Sequence, residues 1–368
     1  MKYIVYILLF FPIWVTAQTY KYIGIEKGLS NRRIFNIQKD AQGYMWFLTN
    51  EGMDRYNGKD IKHYKLNKEG TTLDAPVRLG WLYTGSQIGI WVIGKQGRIF
   101  QYEANGDDFR MVYKQPTPSE TISYGYLDQS NNIWLCCKDS ISLYNIKDAH
   151  ILQFSNMLHS NITAIEQVDD HHFFIATETG VRYAKLKNGA LQIIPTETLD
   201  YFHTQVSVLY FQQQQKKLYI GSFERGIFVY DMLSQEIIRP EADLSDVNIT
   251  RIRPLNETEL LVATEGMGVY KLDMNKCILE RYISANYQSY NEMNGDNIND
   301  VFVDESKRIW LANYPTGITI VDNRYQNYHW IKHSIGNKQS LINDHVHTII
   351  EDSEGDLWFG TGNGISLY

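Results

Sequence analysis

Short apolar runs and polar turns follow one another in a fixed order along this chain, and the order repeats. An apolar run such as "IFNIQKD" (34–40) or "VHTIIED" (346–352) leads into a polar turn that often holds Asp and Gly. A run centred on a large apolar residue follows, then a second turn with Gly, then a run ending in Tyr or another apolar residue. "MWFLTNEGMDRY" (45–56), "IWLANYPTGITIVDN" (309–323) and "LWFGTGNGISLY" (357–368) are three copies of this central part. A weaker stretch such as "IKHYKL" (61–66) or "YHWIKH" (328–333) completes the unit. Runs of this length between turn signals predict strands, four to each unit.

The large apolar anchor falls at Trp46, Trp91, Trp134, Phe174, Tyr219, Leu261, Trp310 and Trp358, at intervals of 45, 43, 40, 45, 42, 49 and 48 residues. A four-stranded antiparallel unit of about 40 to 45 residues is a β-propeller blade, and radial repetition protects its sheet edges. Gly52, Gly97, Gly180, Gly226 and Gly317 stand where the second turn needs positive φ. Asp40, Asp128, Asp304 and Asp352 stand where a carboxylate can take first-turn amides. These roles are structural, and the anchors are expected to fill the space between neighbouring blades. "TYKYIGI" (19–25) matches the outer strand of other copies, so an N-terminal strand is expected to close the ring on a late blade. Eight repeats literally permit eight blades.

Composition agrees with an all-β globular chain. Of 368 residues 43 % are hydrophobic and 21 % charged, with 26 Tyr and only 8 Pro, which suits many short strands better than long helices. The net charge of −7, with Lys and Arg scattered singly, leaves no basic stripe for nucleic acid and no polybasic membrane patch. Residues 1–17 join Lys2 to an apolar run and a Val15-Thr16-Ala17 cleavage site, the pattern of an export signal; the run is shorter than the ~20 residues a spanning helix needs. A periplasmic location follows. Three cysteines are too few for a disulfide scaffold, and adjacent Cys136 and Cys137 point to opposite faces of a strand. No cofactor or metal is expected. His171-His172 falls in a first turn without a third ligand, and the Gly-rich 360–364 lacks the Lys-Ser/Thr of a phosphate loop.

Two stretches carry a resemblance. "GLSNRRIFNIQKDAQGYMWFLTNEGMDRYNG" (28–58) and "SLINDHVHTIIEDSEGDLWFGTGNGISLY" (340–368) share Gly/Ser-Leu, an apolar strand, Asp-x-x-Gly, Trp-x-x-Thr, Gly and Tyr. This pattern resembles the two-component regulator propeller repeats of periplasmic sensors, especially the hybrid two-component systems of Bacteroides-type gut bacteria. The resemblance implies a sensor ectodomain of two seven-bladed propellers and a β-sandwich, followed by a membrane helix, a histidine kinase, a receiver and a DNA-binding domain. Such sensors recognise glycan fragments. The present sequence contains no second full propeller and no kinase, so it resembles an N-terminal piece or a split gene product. The family plan favours seven blades over residues 18–333, with 334–368 opening a second propeller; an eighth blade is the alternative.

In a propeller the links into the inner strands share a face with the second turns. Aligned, those links hold Arg33, Thr121, Asn161, Gln205, Asn248, Asn297 and His345, and the turns add Asn50, Phe223, Arg225 and Tyr314. Such a ring suits sugar hydroxyls, which need several donors and acceptors, beside aromatic faces that stack on pyranose C–H surfaces. The expected function is ligand sensing without catalysis, with an oligosaccharide ligand and either a homodimer or a membrane sensor kinase as partner. A propeller-fold lyase or glycosidase and a protein-interaction propeller are the alternatives.

Overall fold

A computed structural model describes residues 19–66, 79–116, 121–187, 189–240, 244, 246–285, 293, 295–322, 331–333 and 339–368. The expected export signal, residues 1–17, lies outside them, as does the first half, 328–330, of the expected outer strand at 328–333. Among the described residues the chain forms seven four-stranded antiparallel sheets and one three-stranded sheet. Sheets 1 to 7 begin with the inner strands Ile34–Lys39, Leu79–Gly85, Tyr124–Leu127, Ile162–Gln167, Val206–Gln212, Ile249–Pro254 and Asn297–Val303. Sheet 8 comprises Val346–Glu351, Leu357–Thr361 and Gly364–Leu367. The only α-helix among the described residues is the single turn Glu197–Asp200.

The anchors explain how the sheets associate. Trp46 packs with Leu82 and Val92 of sheet 2, and Trp91 with Ile133 and Leu135 of sheet 3. Trp134, Phe174, Tyr219 and Leu261 likewise enter the core of the following sheet. Trp310 packs against Ile34, Ile37 and Phe47 of sheet 1. Seven interfaces therefore run in a circle, and each inner strand packs beside the next, with the seventh against the first. Cys136 and Cys137 fall in two different interfaces, consistent with opposite faces.

Sheet 7 borrows its fourth strand from the start of the chain. Thr19–Ile23 runs antiparallel to Gly317–Asp322, with Thr19 opposite Asp322 and Ile23 opposite Ile318. The seam between sheets 7 and 1 is also hydrogen-bonded. Buried Asp300 accepts from Asn36 Nδ2 at 2.6 Å and from the Ile37 amide at 2.8 Å. Asn299 Nδ2 donates to the Ile34 carbonyl at 2.9 Å.

A β-bulge recurs in the inner strand of seven of the eight sheets. Its extra residue turns away from the ladder. In sheets 5, 6 and 7 that residue is Ser207, Thr250 or Asn299, each of which donates to a carbonyl of the next sheet in the circle.

Candidate functional site at the ring mouth

Local chemistry fixes one rim of the ring. Gly28 adopts φ +100, Leu29 is buried, and the Ser30 amide and hydroxyl both donate to Asp54 Oδ2, at 2.8 and 2.9 Å. His63 Nδ1 lies 2.8 Å from Asp54 Oδ1. Burial pushes the Asp54 carboxyl up, against the pull of Ser30 and His63. The Ser30 hydroxyl faces the carboxyl and not the imidazole, and the trio anchors a loop. The link into sheet 1 is thereby tied to the second turn of that sheet, with Arg33 and Asn50 exposed beside it.

Links and second turns meet on this rim around the ring. The Phe223 amide donates to the Gln205 carbonyl at 2.9 Å, and the Glu265 amide to the Asn248 carbonyl at 3.0 Å. Asn248 Nδ2 donates to Glu265 Oε2 at 3.0 Å, and Asn161 Nδ2 to Glu178 Oε1 at 3.2 Å. Asn297 stands opposite Tyr314 in register and bridges to Glu265. The Arg33 guanidinium lies 5.9 Å from the Tyr314 ring and 5.4 Å from Phe35. Asn248, Asn297, Tyr314 and Arg33 thus form one arc over sheets 6, 7 and 1. Tyr314 is 44 % exposed and is joined to Pro315 by a cis peptide. On the opposite face of the same strand, buried Asn313 has neither amide atom paired among the described residues.

Two sequence expectations change. His345 precedes the inner strand of sheet 8, all six residues of which are exposed, so it does not belong to the rim of the seven-sheet circle. Its ring lies 5.5 Å from His347 instead. Arg225 does stand on a second turn, but it turns outward from the arc and donates to Thr204 Oγ1 at 2.8 Å.

The channel below the rim holds groups that the sequence did not single out. In register with the anchors stand Gln38, Tyr83, Tyr126, Glu166, Tyr210, Arg253 and Phe302. Two positions nearer the rim stand Asn36, Trp81, Tyr124, Ala164, Val208, Arg251 and Asp300. Arg251 Nε donates to Asp300 Oδ1 at 2.7 Å; burial works against the guanidinium's charge, and Asp300 together with Tyr124 and Tyr83 more than offsets it. Burial pushes the Tyr83 and Tyr124 hydroxyls up, so they stay neutral while Arg251 and Arg253 act on them electrostatically. Glu166 accepts the Phe211 amide at 3.1 Å, and its burial pushes the carboxyl up to about 7. No group of three or more metal-ligating side chains occurs among the described residues.

Residues 28–51 and 340–363 match the two component regulator propeller family. No curated protein matches the chain. Among solved structures it is similar to the extracellular domain of the hybrid two component system BT3049 from B. thetaiotaomicron, with 19 % identity and a TM-score of 0.69 over 96 % of this chain and 53 % of that one. The extracellular domain of BT4673 from the same organism gives 17 % and 0.65, over 95 % and 52 %. Streptogramin B lyase gives 14 % and 0.64, over 83 % and 97 %. The chain spans about half the length of the two B. thetaiotaomicron domains. At these identities the likeness establishes the fold, a β-propeller, while the matched segments are regulator-propeller repeats.

Proposed function

We propose that this chain is the ligand-sensing propeller of a two-component regulatory system and that it binds a glycan fragment at the ring mouth. The arc of Arg33, Tyr314, Asn297 and Asn248 is the observation that carries this reading. An exposed ring beside several amide donors and acceptors matches a pyranose. Residues 1–17 export the chain to the periplasm, 18–333 form the sensing ring, and 334–368 open a second propeller. The signal passes to a kinase encoded outside this sequence, through a dimer or a membrane partner.

Calorimetric titration of the chain against a library of glycan fragments tests the reading, with product analysis on the same samples. Binding without turnover is expected, and Tyr314→Ala is expected to weaken it about tenfold, as loss of a stacking face and its cation contact does. An affinity unchanged by Tyr314→Ala refutes the mouth site. Among the described residues Glu166, whose burial pushes its carboxyl up to about 7, is the group that favours an enzymatic second reading. Released oligosaccharide, abolished by Glu166→Gln, would establish it.

A further inference from the structure

Beside the mouth, on the outer part of sheet 5, lies a second concave feature that the mouth reading does not use. The link into the inner strand of sheet 5 carries the single-turn helix Glu197–Asp200, which packs against Gly180–Lys187 of sheet 4 and reaches across to sheet 5. Thr198 Oγ1 donates to the Gln235 carbonyl at 2.5 Å at one end, and Arg225 donates to Thr204 at the other. Between these two ties is a cleft of about 420 Å³ lined by Tyr201, Phe202, His203, Arg225, Phe228 and Arg239, among others. Small-molecule sites fall at ~300–1,000 Å³.

Its chemistry is specific. Phe202 and Phe228 meet edge to face at 5.1 Å, and the Arg239 guanidinium lies 5.6 Å from the Phe228 ring. Tyr201 is 77 % exposed and adds a third aromatic surface at the opening. Among the described residues no carboxylate pairs with Arg225 or Arg239. Two guanidinia in one cleft, that of Arg239 over the Phe228 ring and that of Arg225 on the Thr204 hydroxyl, call for an anionic group on a body with a flat apolar face. A peptide added to the sheet edge fits poorly, because the edge strand Glu236–Ile238 is only three residues long.

We propose that this cleft binds an anionic pyranoside, its carboxylate or sulfate held by Arg225 and Arg239 and its C–H face lying on Tyr201 and Phe228. This deepens the glycan-sensing reading and rests on it, while using a different set of residues.

The test is titration of the whole chain with a galacturonate tetramer, a sulfated galactose tetramer and the neutral maltotetraose. At least one anionic probe is expected to bind about tenfold more tightly than the neutral one, and to weaken with salt. Arg239→Gln is expected to remove about tenfold of that affinity, since a charge-assisted hydrogen bond is lost. Its melting temperature should stay unchanged, because among the described residues the Arg239 guanidinium makes only the ring contact. Arg239→Lys should recover part of the affinity. Which anionic probe binds distinguishes carboxylate from sulfate. Equal binding of all three probes, or anionic binding untouched by Arg239→Gln and Arg225→Gln, overturns the cleft. Saccharide binding abolished by Tyr314→Ala and indifferent to Arg239→Gln removes the cleft and leaves the mouth standing. Anionic binding that needs Arg239 and ignores Tyr314 does the reverse, and no binding of any saccharide removes both.

Discussion

In four of the sheets a carboxylate six residues before the tryptophan accepts the indole N–H. The pairs are Asp40–Trp46 at 2.7 Å, Asp128–Trp134 at 2.9 Å, Asp304–Trp310 at 3.0 Å and Asp352–Trp358 at 2.7 Å. The same carboxylates take the turn amides, as the sequence reading expected, but the indole bond crosses a hairpin and was not legible from local turn chemistry. Asp304→Ala would leave the Trp310 N–H buried and unpaired, and is expected to cost about 1–3 kcal/mol in denaturant unfolding; Asp304→Asn keeps an acceptor and should cost less. Although burial pushes Asp304 up, donation from Trp310 and Arg308 holds its carboxyl below the usual range. Its contribution is therefore present above about pH 4 and lost only on further acidification. Glu166 has the opposite sign. Its folded pKa, raised from 4.5 to about 7, means the native state holds a proton that the unfolded chain releases, so this contribution falls as pH rises from about 4.5 to 7. Glu166→Gln is expected to flatten melting temperature against pH across that window and to stabilise the protein at pH 8 by roughly 1–3 kcal/mol. Nothing in the local sequence marks Glu166; only its register opposite Phe174 and the closing of the ring bring it to the axis.

At the level of strands, the repeat pattern disclosed most of the architecture, because each strand is bounded by its own turn residues. All five glycines assigned to second turns have positive φ, and Gly317 shows why: a Cβ there would lie 2.6 Å from the Ile23 carbonyl. The bulges escaped notice because one extra residue does not disturb a hydrophobic run of six. Their consequence in sheets 5, 6 and 7, side chains that tie one sheet to the next, depends on contacts about 40 residues or more apart. The N-terminal strand was legible by its likeness to other outer strands. Deleting residues 19–23 should uncover Ile318 and Ile320 and cost roughly 3–6 kcal/mol in buried surface and ladder bonds. A chevron or equilibrium denaturation of the shortened chain checks this, and a loss under about 1 kcal/mol would mean that the circle holds without its borrowed strand.

Across the whole molecule, the seven interfaces are filled and sheet 8 is not. Trp358, the eighth anchor, is 41 % exposed, and Ile349 and Ile350 are 58 % and 60 % exposed. Each anchor elsewhere is covered by the sheet that follows it, so the sequence logic of the repeat, read at its last copy, asks for one more sheet. Removing residues 334–368 is expected to leave the main unfolding transition within about 2 °C of its original temperature, because no core cluster of sheets 1 to 7 includes sheet 8. Scanning calorimetry of both lengths decides the point. The location of the seam has a different implication. Arg33 and Tyr314 stand on either side of the join where the beginning of the ring meets its end, a join made without a covalent bond. A molecule gripped by both would act as a latch across that join, so occupancy would register as slower unfolding and as protection of the first strand from proteases.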